Sequence, residues 1–181
     1  MMRIYRMLTS ALLMFSLFSC DKDNLLDPSQ IKESTMSAKI DGKDWTHNGA
    51  GGGLNSEDIR VSYFSDGTLH LLGNQSDGGN NQNVSLGLVG VTHTGDYSIG
   101  VIPTGYITIN SGNYGAVNYF QGFRNTHSYS TPITNSGKVT ITKLDTQNKT
   151  ISGTFSFRAT LAGSTTKYVD VTEGRFEVKY Q

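Results

Sequence analysis

From Ile151 to Thr160 apolar and polar side chains alternate without a break. Ile151, Gly153, Phe155, Phe157 and Ala159 share one parity, and Ser152, Thr154, Ser156, Arg158 and Thr160 the other. Only an extended strand places every second residue on one face, so the segment predicts a half-buried β-strand. Val139 and Ile141 alternate in the same way with Lys138, Thr140 and Thr142, and the polar run from Asp145 to Lys149 lets the chain turn back, which predicts a hairpin. Further on, Val169 and Val171 hold one parity whereas Phe176, Val178 and Tyr180 hold the other. The apolar face therefore slips between Thr172 and Arg175. A bulge at Gly174 is expected to absorb the slip, because glycine accepts the positive φ that such an insertion needs.

The segment from Met36 to His47 carries the clearest signal of the first half. Asp41-Gly42 between alternating residues predicts a two-residue type I′ turn. Pairing outward from it sets Ile40 opposite Lys43, Lys39 opposite Asp44, Ala38 opposite Trp45 and Ser37 opposite Thr46. One face then carries Ala38, Ile40 and Trp45, which makes Trp45 a core plug rather than a ligand platform. Asp66-Gly67 between Ile59–Ser65 and Thr68–Gly73 repeats the logic. A two-residue turn there sets Tyr63 opposite His70 and Val61 opposite Leu72, with Phe64 and Leu69 together on the other side. Both faces are then partly apolar, as in strands inside a sandwich or a barrel.

Asn74 to Asn83 is read as a long polar loop and Gly49 to Gly53 as an exposed one. No Gly-Lys-Ser/Thr follows those glycines, so they are not a phosphate cradle. Val84, Leu86 and Leu88 alternate as a further strand, and Gly95 to Ile99 opens the next. Thr104 to Pro132 interleaves Tyr106, Tyr114, Tyr119, Phe120, Phe123 and Tyr129 with Asn and Gly. Roughly ten to thirteen strands and no amphipathic helix after the leader predict an all-β antiparallel β-sandwich, with a closed or half-closed β-barrel as the alternative.

Composition narrows the setting. The 181 residues suit a single domain. Lys+Arg and Asp+Glu both number 15, and the two arginines nearest the N-terminus fall in the leader, so bulk charge offers nothing to nucleic acid. Cys20 is the one cysteine, which excludes an intrachain disulfide and a thiolate metal cluster.

The N-terminus predicts a compartment. Arg3 and Arg6 precede an apolar run from Met7 to Phe18 that is short for a bilayer span. This is the layout of a secretory signal peptide. Leu17-Phe18-Ser19-Cys20 resembles the lipobox of bacterial lipoproteins, with Phe18 in place of the usual small residue. The resemblance implies that residues 1–19 are a lipoprotein signal peptide, that Cys20 carries acyl chains anchored in the lipid bilayer, and that 20–35 is a flexible tether to a domain over 36–181. Asp21-Lys22-Asp23 resembles the acidic, lysine-containing export signals of Bacteroidota surface lipoproteins, and is otherwise a solvated tether. An outer-membrane lipoprotein of the cell envelope, periplasmic or surface-exposed, is expected.

Asp41-Gly42-x-x-Trp45, Gly95-x-Tyr97, Val139-x-Ile141, Ile151-Ser152-Gly153-Thr154-Phe155-x-Phe157 and Gly174-x-Phe176 together resemble an uncharacterised family of Bacteroidota lipoproteins. These are turn and core positions. The resemblance implies location and a β-rich fold and brings no chemistry with it.

No catalytic residue, metal site or cofactor is assigned. His47, His70, His93 and His127 lack metal-ligand spacing, Asp77 alone is far short of a calcium loop, and no Gly-x-Ser-x-Gly elbow occurs. Glu57, Asp58, Asp96 and Glu173 give no warrant for a particular pair of glycosidase carboxylates. The candidate ligand residues are Tyr106, Tyr114, Tyr119, Phe123 and Tyr129, whose rings either pack within strands or stack against a glycan or an envelope protein. Two functions follow from this. One is a membrane-anchored, non-catalytic binding or structural module; the other is an envelope hydrolase acting on glycans from a sandwich groove.

Overall fold

The computed structural model describes residues 33–48, 59–100, 112–122, 124–132 and 135–181. They form eleven strands: β1 (Thr35–Ile40), β2 (Lys43–Thr46), β3 (Ile59–Tyr63), β4 (Leu69–Asp77), β5 (Asn80–Leu88), β6 (Gly95–Ile99), β7 (Tyr114–Gln121), β8 (Arg124–Ser130), β9 (Gly137–Asp145), β10 (Thr150–Leu161) and β11 (Tyr168–Lys179). Every pairing is antiparallel, and the sheet does not close into a barrel. The architecture is all-β and consistent with a sandwich.

One layer runs β6-β9-β10-β11-β1-β2 and the other β3-β4-β5-β7-β8. Strand β10 joins them. Its residues Thr150 to Phe157 pair with β9, and then Thr160 and Leu161 pair with Ser130 and Tyr129 of β8, which takes over that edge. Between the layers lie rings and aliphatic chains: Phe155, Phe157 and Ala159 of β10 and Val169, Val171, Phe176 and Val178 of β11, as the alternation predicted, and Leu69, Leu71, Val84, Leu86 and Val117 opposite them are all buried. Tyr63 of β3 meets Tyr180 across the gap at 5.0 Å between ring centroids.

The β1-β2 hairpin has the expected register at all four pairs, with Asp41 and Gly42 at φ 49° and 77°, as a type I′ turn requires. Trp45 is 1% exposed. Strand β1 begins at Thr35, one residue before the expected domain start, and the Ser34 hydroxyl accepts a hydrogen bond from the Lys179 amide.

Three expectations need correction. The β3-β4 register is one residue off, because Tyr63 pairs with Leu69, Ser62 with His70 and Val61 with Leu71. The loop holds three residues rather than two: the Gly67 amide donates to the Phe64 carbonyl, the Phe64 amide to the Thr68 carbonyl, and Gly67 takes φ 80°. This is a type I turn closed by a glycine bulge. It sends Leu69 into the core and leaves Phe64 exposed, instead of placing both on one side. Secondly, Asn74 to Asn83 is not a loop. It continues β4 and β5 in full ladder pairing around Gly78 and Gly79.

Thirdly, the bulge in β11 exists, but the residue in the left-handed region is Glu173, at φ 52°. Phe155 pairs with Gly174 and Phe157 with Val171, so Thr172 and Glu173 together oppose Ser156. Lys39 bonds the Glu173 carboxylate at 2.9 Å. Gly174 is glycine for another reason: a Cβ there would lie 2.4 Å from the Phe155 ring.

Four carboxyls on this scaffold are held below their ordinary values. The Thr68 amide does so for Asp66, the Thr140 hydroxyl and then Lys138 for Asp96, the Asn148 side chain for Asp145, and the bidentate Arg158 guanidinium for Asp170. A depressed carboxyl contributes stability that is complete above its unfolded value of about 3.9 and is lost as pH falls through the folded value. Thermal unfolding is therefore expected to hold steady from neutrality to about pH 5 and to weaken progressively below about pH 4. An Asp170→Asn variant should show a shallower decline, and identical slopes would remove Asp170 from this account.

Candidate functional site

Strands β4, β5, β7 and β8 extend beyond the sandwich core. Because side chains repeat every second residue, the core-facing side continues outward on the same parity. Its last core row is Gly73, Val84, Val117 and Tyr129, paired in that order across the four strands. The next row is Gln75, Gln82, Tyr119 and His127, and the last, at the hairpin tips, is Asp77, Asn80, Gln121 and Arg124. Within two residues the same face passes from aliphatic to amide and ring. A groove of about 490 Å³ lies there, lined by Gln75, Asp77, Gln82, Tyr119, Gln121 and His127 among others.

The rings are arranged by the β7-β8 ladder. Tyr119 stands edge-on to Tyr129, with centroids 5.8 Å apart at 72°, and edge-on to His127 at 6.5 Å and 90°. His127 and Tyr129 are nearly parallel, at 24°. Tyr129 packs on the core, while His127 is exposed and Tyr119 is half-buried. Burial pushes the Tyr119 phenol above its ordinary value and the nearby Asp41 charge pushes the same way, whereas a hydrogen bond from the Gln82 side chain opposes them. A bulge at Thr126, whose hydroxyl bonds the Tyr119 carbonyl at 3.1 Å, lets β8 carry His127 opposite Tyr119 and still close on Gln121.

Polar bonds stiffen this extension where, among the described residues, no second layer supports it. On the far face the Asn118 amide donates to Asn83 Oδ1 at 3.0 Å, and the Ser128 hydroxyl donates to Asn118 Oδ1. The Gly122 amide bonds the Gly79 carbonyl at 2.9 Å and ties the two tips together. At the β4 edge the Asn48 side chain pairs with both backbone groups of Ser76, at 3.0 and 2.7 Å.

Of the ligand residues expected from sequence, Tyr119 and Tyr129 are brought together. Tyr114 lies on the opposite face of the same layer. Its ring covers Gly87, where a Cβ would stand 2.0 Å from it, and its hydroxyl is 3.5 Å from His70 Nδ1. Tyr106 and Phe123 lie outside the described residues, as do Cys20 and the whole leader. Sequence reasoning missed Gln75, Gln82 and His127. The available signal was Gly78-Gly79, a two-residue hairpin turn that would have put Gln75 and Gln82 on neighbouring strands. Glu57 and Asp58 are also outside the described residues, and Asp96 and Glu173 are exposed partners of Lys138 and Lys39. Among the described residues no three His, Cys, Asp or Glu side chains converge as a metal site.

Fold and groove together define an all-β domain whose inner face runs out into a surface recess of rings and amides. The chain belongs to the family described as a domain of unknown function, DUF6252, whose model matches residues 33–178. No curated protein and no solved structure matches it significantly.

Proposed function

We propose that the domain is a non-catalytic binding module, held at the cell envelope through acylated Cys20, and that its ligand occupies the groove of β4, β5, β7 and β8. One observation carries the reading. The row Gln75, Gln82, Tyr119 and His127 prolongs the core-facing side of the sheet past the core's edge, yet among the described residues no layer covers His127 and the groove is open. Concave sites that mix rings with a few placed polar groups are where ligands bind. Among the described residues the lining holds one carboxylate, Asp77, rather than the two across a cleft that glycoside hydrolysis uses, which favours binding over the hydrolase alternative.

The test is capture of arrayed glycans and envelope proteins by the full chain purified in detergent. Tyr119→Ala and His127→Ala are expected to lose binding by about tenfold while keeping the unfolding temperature within a few degrees. Phe64→Ala, exposed and remote from the groove, should bind as the parent does. Binding indifferent to both groove variants would refute the assignment.

Anchoring has its own test. Cys20→Ser is expected to leave the chain unacylated and to move it from the membrane fraction to the soluble one, since acyl chains contribute about 0.8 kcal/mol per buried CH₂. Persistence of an acyl label in that variant would rule out Cys20 as the anchor.

A further inference from the structure

We infer that the ligand of this groove is an uncharged glycan chain lying across the four strands, an inference that rests on the groove being the binding site. The chemistry of the lining selects it. Gln75, Gln82 and Gln121 each present a donor and an acceptor side by side, and adjacent sugar hydroxyls are themselves donor and acceptor, so one amide can serve two neighbouring hydroxyls. Tyr119 and His127 add ring faces, whose negative quadrupole suits the slightly positive C–H face of a pyranose. The row crosses the strands in register, which offers these contacts along a line rather than at a point.

Charge distinguishes among glycans. Asp77 is the one carboxylate of the lining, and the negative field of Asp41 reaches Tyr119. Arg124 ends the tip row without lining the groove. An anionic sugar would meet the Asp77 carboxylate with no Lys or Arg in the described lining to offset it, whereas a neutral one gives up only hydrogen bonds that the amides replace.

A protein partner fits less well. Protein interfaces bury apolar anchors at their centres; among the described residues Phe64 and Tyr168, the most exposed large apolar side chains, lie away from the groove, and Phe120 is the one purely apolar side chain in a lining otherwise of amides, hydroxyls, a carboxylate and an imidazole. The cross-bonded Asn83, Asn118 and Ser128, with the tied hairpin tips, hold the row in place before any ligand arrives. Preorganisation lowers the cost of binding an exposed polar ligand.

The experiment measures binding of the detergent-purified full chain, at pH 7.5, to neutral gluco-, manno-, galacto- and xylo-oligosaccharides. Oligogalacturonate and oligoguluronate of equal length and a set of envelope proteins stand beside them. At least one neutral series is expected to bind at least about tenfold more tightly than either acidic one. Gln75→Ala, a change at the half-buried edge of a hairpin, should weaken that binding about threefold to tenfold without moving the unfolding temperature. This keeps the test valid should Tyr119→Ala fold poorly. Preference for the acidic series, or ring-dependent capture of a protein with no glycan bound, would overturn the neutral-glycan inference and leave the binding module standing. Neutral-glycan binding unchanged by Gln75→Ala, Tyr119→Ala and His127→Ala would overturn both.

Discussion

Replacing Trp45 by alanine is expected to destabilise the domain by about 3–5 kcal/mol, the range for emptying a large aromatic site in a packed core. The size follows from its position. Strand β2 has four residues, and Trp45 is the one among them that is buried. The indole reaches across to β4, where its ring edge and the Met36 sulfur occupy the space above Gly73. With alanine there, the layer opposite would face a void that the short strand cannot collapse to fill. The indole Nε1 is buried without a hydrogen-bond partner among the described residues. Phenylalanine, which discards that donor, should therefore cost less than its lost volume alone implies. Denaturant unfolding measures both variants. A loss under about 1 kcal/mol for Trp45→Ala, or fluorescence typical of a solvated indole, would contradict this packing.

The second large effect is expected at Gly73. An alanine Cβ would lie 2.8 Å from Trp45 Cη2 and 2.9 Å from Met36 Sδ. Both atoms belong to side chains about 1% exposed, so neither can swing into solvent. Gly73→Ala should cost about 1–3 kcal/mol, the usual penalty for overpacking. The two sites share one space, so their effects should not add. In a Trp45→Phe background the smaller ring leaves room for the methyl, and Gly73→Ala should cost at least about 0.5 kcal/mol less there. Strict additivity of the cycle would mean that the two residues do not meet as described.

The sequence was most legible where one local constraint decided the outcome. Asp41-Gly42 permits few turn geometries, and it sorted Ala38, Ile40 and Trp45 from Lys39 and Asp44 without help from the rest of the chain. The alternation from Ile151 to Thr160 was as readable, because both of its faces meet a uniform environment. At Asp66-Gly67 the same dipeptide misled, since a three-residue loop with Gly67 in the left-handed region uses the same letters and shifts the register by one. The slip in β11 was visible as a change of parity. Its residue was not, because a glycine kept small by the Phe155 ring looks in sequence like a glycine chosen for its backbone.

The groove was harder to read for a physical reason. Asn74 to Asn83 shows no apolar alternation because none of those residues is buried in the core, and hydrophobic periodicity reports burial rather than strand. Tyr119 and Tyr129 were identified by composition. Their separation from Tyr114 was not, since it depends on the parity of β7 against a core that only the assembled layers define.

Strand β1 lies between β2 and β11, the latter the furthest of the eleven strands from it in sequence. The hairpin of β1 and β2 thus lacks its ladder partner until that twelve-residue strand has been made, and closing so large a loop delays the reward of its contacts. Folding is accordingly expected to be slow, on the millisecond-to-second scale of non-local β topologies. Removing β11 should strip away part of the core that Trp45 enters. For a chain proposed to leave the cytoplasm, that delay has a use: the sheet cannot be completed until β11 has been made.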